Sequence, residues 1–222
     1  MAGQPTPAHP ATMEAQLQAS NRPENTPIPQ PIAITSRLII RPMRIEDAPS
    51  TALNANDPLV TKYMSLAFGY PYTLAHAKTW INMNITAPHQ NNFVICERSS
   101  PETVIGGCGL KPGADVSAHT AEVGFWVGQA YWGRGYTTEM LEAFTKWTFE
   151  SWENDGQRIR RVLGCVFSGN VASMRCFDKC GYAREGVMKD HVEKHGEMMD
   201  MHIFGMTKPV WEKRMNKAFN NH

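Results

Sequence analysis

The stretch from Val123 to Thr138 constrains this chain more than any other. An apolar run, Val123-Gly124-Phe125-Trp126-Val127, reads as a strand and leads to Trp132-Gly133-Arg134-Gly135-Tyr136-Thr137-Thr138, which opens directly into a long helical pattern. Two glycines one residue apart allow backbone conformations that a Cβ would block, and they clear one side of the turn of side chains. The first N–H groups of the helix have no partner within it and point into the cleared space. With the positive end of the helix dipole they make a place for a bulky anion such as a phosphate. Arg134 adds a full positive charge to the same turn.

The surrounding pattern supplies a sheet for this unit. Residues 34–41 are β-branched and apolar and stop at Pro42, which predicts a strand. Short helices are expected over 46–56 and 57–65, the second capped by Asp57 with Pro58 at its first position. A third is expected over 73–85, with Leu74, Ala77, Trp80, Ile81 and Ile85 on one stripe. Strands follow over 92–97, 103–110 and 120–127, with Ser99-Ser100-Pro101 turning the first into the second. The longest helix is expected over 137–153, where Met140, Leu141, Phe144, Trp147, Thr148 and Trp152 recur at helical spacing until Asn154-Asp155-Gly156 ends it. A strand over 161–167, a helix over 170–179 and two strands over 183–192 and 197–207 complete the pattern. The order implies an α/β layer fold, a mixed sheet with helices packed on it.

Composition bounds the alternatives. The chain has 222 residues, room for one full domain. Its 22 Lys+Arg against 21 Asp+Glu give no overall field that would draw in nucleic acid or an anionic membrane. Seven of the 15 prolines fall in residues 1–31, among glutamines and few aliphatic residues, so this segment reads as a disordered tail. It has no apolar core of a secretory signal, and no run of about 18 apolar residues occurs elsewhere. Five cysteines, an odd number, lie mostly in strand-like runs, which points to free thiols in a reducing, cytoplasmic setting. Cys176 and Cys180 stand four apart without a second pair nearby, so no metal site is expected there. His191, Glu193, His195 and Glu197 read as a hairpin tip, either solvated or rimming a substrate cleft, rather than as a zinc site. The expected organisation is a tail over 1–31, a domain over 32–212 and a polar tail over 213–222.

Two cofactor readings of the glycine turn compete. A dinucleotide turn, G-x-G-x-x-G, would need glycine where Thr138 stands, and an acid after the next strand, which instead ends Val166-Phe167-Ser168. A Gly-Lys-Ser/Thr triplet is absent, and Gly106-Gly107-Cys108-Gly109 lies inside a strand pattern leading to Pro112. The other reading is a coenzyme A pyrophosphate loop. Here the chain resembles the GNAT acetyltransferases, in particular the ribosomal-protein N-terminal acetyltransferases. The family's Q/R-x-x-G-x-G/A loop is matched by Trp132-Gly133-Arg134-Gly135-Tyr136-Thr137, with Trp132 and Thr137 as departures. Asn170-Val171-Ala172-Ser173, followed by Gly181-Tyr182, resembles its N-x-x-S…G-F/Y helix, and Ala121–Val127 and Arg37–Pro42 resemble its strands.

The resemblance covers residues 34–212. It implies a GNAT fold: a mixed, mostly antiparallel seven-stranded sheet with helices on both faces, split between its fourth and fifth strands to admit coenzyme A. It implies transfer of an acetyl group from acetyl-CoA to a primary amine, with both bound at once. The cofactor would lie along Phe125, Trp126 and Val127, whose strand offers N–H groups near Trp126 and Val127 to the thioester carbonyl. Trp132, Gly133, Arg134, Gly135, Tyr136, Thr137 and Thr138 would hold the pyrophosphate, and Asn170 the pantetheine amide. Phe177 stands where many members carry a tyrosine; it has no hydroxyl to offer the leaving thiolate, and Ser173 is the substitute. A non-catalytic acyl-CoA-binding module therefore stays open.

For the base, Glu122 stands in an apolar run and is either half-buried in the site or a solvent-facing strand residue. An α-amine, with a pKa of about 8, needs only a modest base. His119, Glu197 and Asp200 are weaker candidates. Ser173 can instead bond its own helix backbone, and Asn170 can cap that helix while also binding cofactor. Phe68-Gly69-Tyr70-Pro71-Tyr72 either lines the acceptor cleft or is a packed connector. Arg158-Ile159-Arg160-Arg161 either flanks the adenosine phosphates or lies in solvent.

Overall fold

The computed structural model describes residues 26–219. In chain order the strands are β1 (Ala33–Ile34), β2 (Leu38–Arg41), β3 (Asn92–Glu97), β4 (Ser100–Pro112), β5 (Thr120–Val127), β6 (Glu153–Asn154), β7 (Gln157–Arg158), β8 (Arg161–Phe167), β9 (Ala183–Lys194) and β10 (Glu197–Thr207). The helices are α1 (Ala48–Ala55), α2 (Pro58–Thr61), α3 (Leu74–Ile85), α4 (Tyr136–Glu150), α5 (Val171–Lys179) and α6 (Lys208–Phe219). Eight strands form one sheet in the order β1-β2-β3-β4-β5-β8-β10-β9. All its pairings are antiparallel except β5 with β8.

The eighth strand is β1. Residues 34–41 do not run on as one strand, because Thr35 turns the chain: its hydroxyl accepts the Leu38 N–H (2.8 Å), and its N–H donates to the Leu38 carbonyl (2.9 Å). Ala33 and Ile34 thereby fold back on Ile40 and Ile39. The stretch after the long helix is also more than an ending. β6 and β7 pair around Asp155 and Gly156, both at positive φ (48° and 79°), as an Asp-Gly hairpin turn requires. α4 stops at Glu150, and Trp152 enters the core from beyond it, 8% exposed.

Two cores fill the two faces of the sheet, as the period of two along each strand dictates. Phe93 and Ile95 face α4 and α5 with Met140, Phe144, Phe177 and Phe204, while Val94 and Cys96 face α1 and α3 with Ala48, Ala52, Ala77 and Ile81. Asp57 caps α2, accepting the Leu59 N–H (2.7 Å), and Thr73 caps α3. The stripe expected on α3 is narrower than its sequence suggests. The small alanines of α1 admit Ala77 and Ile81, but Trp80 and Ile85 stay 40% and 42% exposed. Within the second core's margin, Arg41 and Asp47 make two bonds (2.8 and 2.7 Å), both side chains fully buried.

The domain does not end at 212. α6 runs to Phe219, with Trp211 buried against Phe149 (ring centroids 5.5 Å) and Met215 packed on the core. At the other end Thr26, expected in the tail, is tied down: its hydroxyl donates to Glu46 (2.6 Å) and its carbonyl accepts from Arg44 (2.8 Å). The rest of the expected tail, 1–25, and residues 220–222 lie outside the described residues. No described helix is long and apolar enough to cross a membrane.

The sheet is split where expected. β5 and β8 pair only from Thr120↔Arg161 to Glu122↔Leu163, and beyond those residues no pairing joins them.

Candidate active site

The seam left open between β5 and β8 is the floor of a cavity of about 1210 Å³. The β4–β5 register shows which backbone groups face it. Bonds from Gly128 N–H to Ile105 O and from Gly113 N–H to Thr120 O, both 2.9 Å, turn the even-numbered residues of β5 toward β4. The backbone of Phe125 and Val127 therefore faces the open seam. This corrects one expectation: the Trp126 N–H belongs to the ladder with Gly107, so the free donors are those of Phe125 and Val127. The Trp126 indole lies over Gly107, where a Cβ would meet its ring nitrogen. The Val127 carbonyl accepts the Trp132 indole N–H (2.7 Å), a bond that ties the glycine turn to the end of β5.

The turn has the conformation its glycines suggest. Gly133 and Gly135 sit at φ +73° and +77°, and Gly135 is the residue before the first turn of α4. Gly133, Gly135, Tyr136, Thr137 and Thr138 line the cavity, with the unpartnered N–H groups of the first α4 turn directed at it. Arg134 does not line it. Its guanidinium lies over the ring of Tyr131 (5.4 Å), itself a lining residue, and near Glu97 (3.9 Å). The cations that do line the cavity are Lys111, Arg175 and Lys179. Arg175 and Lys179 stand four apart on α5, which abuts the first turn of α4 where the Thr138 hydroxyl meets Cys176 Sγ (3.8 Å). That i,i+4 spacing is a signal of a charged helix face already present in the sequence.

A second fastening holds the turn from outside. Glu139 Oε1 accepts from the Thr35 hydroxyl (2.6 Å), the Ser36 hydroxyl (3.0 Å) and the Arg37 N–H (2.9 Å), while Arg37 Nε reaches Oε2 (2.7 Å). Arg37 also donates to the Arg134 carbonyl (2.8 Å). Burial pushes the Glu139 carboxyl upward, but the bonds from Thr35, Arg37 and Ser36 outweigh it and hold it below its ordinary value. The Tyr136 hydroxyl donates to Glu97, which raises its pKa.

Glu122 lines the cavity beside Cys165 of β8. Burial, then the Glu122 charge, push the Cys165 thiol up to about 11. Ser173 lines the cavity from the first turn of α5, and no partner takes its hydroxyl among the described residues. Its N–H donates to Asn170 Oδ1 (3.2 Å), so Asn170 caps the helix while also lining the cavity. Phe177 belongs chiefly to the core. It is 2% exposed, stacked on Phe204 (5.1 Å) and pressed on Gly164, where a Cβ would collide with its ring.

The alternative bases lie elsewhere. His119 lies at the far end of the sheet with Arg160 and Glu212. Asp200 is held by Lys189 (2.8 Å), the main cause of its lowered pKa, and Glu197 is exposed on β10; neither lines the cavity. Arg158 pairs with Glu153 (2.8 Å) and Arg161 with Glu185, so the basic stretch does not flank the glycine turn. Phe68 and Tyr72 stack on each other (4.7 Å), with Phe68 edge-on to Trp126, which makes that segment a packed connector. His195 and Gly196, at φ +53° and +82°, form the turn between β9 and β10. His191 lines the cavity, and the described residues contain no group of three or more His, Cys, Asp or Glu that could hold a metal.

One group had no signal in the sequence. Lys194, only 9% exposed, donates to the carbonyls of Thr61 (2.6 Å), Lys62 (3.2 Å) and Met64 (2.6 Å). Burial holds its pKa below the usual lysine value. It joins the β9–β10 hairpin to the segment after α2, and both line the cavity.

Comparison with known proteins matches these features. A family model described as an acetyltransferase (GNAT) domain matches residues 37–183. An uncharacterized N-acetyltransferase, p20, of Bacillus licheniformis is 29% identical over 178 residues, covering 78% of this chain and 94% of that protein. An acetyltransferase of the GNAT family from Bacillus anthracis superposes with a TM-score of 0.68 at 22% identity, over 80% of this chain and 98% of its own. A ribosomal L7/L12 α-N-protein acetyltransferase, solved in complex with coenzyme A, superposes with a TM-score of 0.66 at 17% identity, over 82% of this chain and 99% of its own.

Proposed function

The chain belongs to the GNAT family of acetyltransferases, and from that premise we propose that it moves the acetyl group of acetyl-CoA to a primary amine, both substrates bound together. The observation that carries this is the open β5–β8 seam, with a glycine turn and helix N-terminus at one end and a carboxylate, Glu122, on its wall. Acetyl-CoA supplies an activated acetyl thioester. The pyrophosphate is assigned to the turn at Gly133–Thr138, with its backbone N–H groups, and the cations Arg175 and Lys179 line the same cavity. The exposed backbone of Phe125 and Val127 can pair with an amide-bearing arm as a further strand would.

Fixed donors accelerate acyl transfer when they meet charge that develops during the reaction, an effect of about 3 kcal/mol per donor. The N–H groups of Phe125 and Val127 are the candidates. Glu122 takes the proton from the ammonium form of the acceptor, directly or through one water. The Ser173 hydroxyl, free of protein partners, stabilises the departing thiolate by a hydrogen bond. The acceptor is a protein N-terminus or a small-molecule amine, and the five free thiols support a reducing, cytoplasmic setting.

A second reading, an acyl-CoA-binding module without turnover, draws on Phe177, which stands in the core without a hydroxyl. Mixing the protein with acetyl-CoA and amines separates the two. Amine-dependent appearance of free thiol together with an acetylated amine supports transfer. Saturable binding of acetyl-CoA with neither product supports the module.

A further inference from the structure

We infer that the acceptor is a primary amine bearing a single positive charge beside an apolar group, an inference that rests on the acetyltransferase reading and names its substrate class. The two faces of the sheet separate the sites. The glycine turn opens α4, which packs on the face filled by Met140, Phe144 and Phe204. Side chains alternate along each strand, so Glu122 of β5, Cys165 of β8, and Met201 and Ile203 of β10 turn to the opposite face. All four line the cavity there, joined by Tyr63 and Met64 from the segment after α2 and by Met188 of β9. Apart from Glu122, Lys111, Ser65 and His191, this wall is thioether, aliphatic, thiol and aromatic. Lys194 binds two of its sides together through three carbonyls, so the pocket is framed before an acceptor arrives.

Charge decides which amines suit it. Glu122 is the only carboxylate among the described residues lining the cavity. Lys111 lies opposite it in the β4–β5 register and also lines the cavity. A polyamine or aminoglycoside brings two or more further ammonium groups, each leaving water without a carboxylate to receive it and each repelled by Lys111. A singly charged amine presents one ammonium to Glu122 and lays its apolar neighbour on Tyr63, Met64 and Met201. Methionine walls adapt to shape, so apolarity and charge count set the class rather than one outline.

The test compares kcat/KM for four acceptors, using the full-length protein, acetyl-CoA and thiol release: an uncharged-side-chain peptide with N-terminal methionine, phenethylamine, spermidine and kanamycin. The better of the first two is expected to exceed both polycations by about tenfold or more, and the ratio between peptide and phenethylamine tells a chain terminus from a small amine. Met201→Glu, which adds a carboxylate to the same wall, is expected to raise kcat/KM for spermidine and narrow the gap. Spermidine or kanamycin turned over as well as the others overturns this inference and leaves acetyl transfer standing. Thiol release with none of the four overturns the acetyltransferase reading itself.

Discussion

Replacing Glu122 by glutamine keeps the shape of the cavity wall and removes the carboxylate proposed to accept the proton of the acceptor ammonium. We expect kcat/KM to fall about 100-fold at neutral pH and to recover in part at alkaline pH, where an amine of pKa about 8 sheds its own proton. A pH–rate profile of both proteins checks this. Gly135 tests the turn. At φ +77° an alanine costs about 1–2 kcal/mol, so Gly135→Ala should raise the KM for acetyl-CoA while leaving discrimination among amines unchanged. At this scale the sequence was informative about backbone and poor about side-chain direction. The positive φ of Gly133 and Gly135 follows from their spacing. The placement of the Arg134 guanidinium depends on Glu97, brought near only by the fold. Phe177 stands where many members of the family carry a tyrosine, but its burial depends on Gly164 leaving room for the ring.

Among the elements, the β9–β10 hairpin and the segment after α2 meet at Lys194 across the acceptor side of the cavity. Lys194→Ala leaves three carbonyls without their donor. The expected result is a rise in acceptor KM of about tenfold or more, with the KM for acetyl-CoA unchanged, as steady-state kinetics with each substrate varied will show. An equal rise in both would mean that the lysine supports the whole domain rather than this pocket. Neither Lys194 nor the Arg37–Glu139 fastening was legible in the sequence, because partners 133 and 102 residues apart leave no local period. β6 and β7 escaped notice for a different reason, since two-residue strands are too short to alternate. α6 did leave a trace: Trp211 and Met215 stand four apart, the spacing of one helical face, in a segment whose charged residues make it look like a tail.

For the molecule as a whole, the split in the sheet was implied only by the resemblance to the GNAT acetyltransferases, whereas the order of strands and helices was readable from hydrophobic period and turn residues, because both are written locally along the chain. What holds the parts in place is not, and pH exposes one such contact. Glu139 has a lowered pKa, so its contribution to stability is present above the usual glutamate value and is lost as pH falls through the native one. Glu139→Gln should therefore be less stable than the parent at neutral pH, with the difference in urea midpoint closing in acid below the usual carboxylate range. Thiol release from acetyl-CoA at neutral pH, with and without a singly charged apolar amine, is the decisive measurement for amine-dependent acetyl transfer with Glu122 as base. Release should depend on the amine in the parent protein and be largely lost in Glu122→Gln; release independent of any amine, or undiminished in Glu122→Gln, would overturn this mechanism.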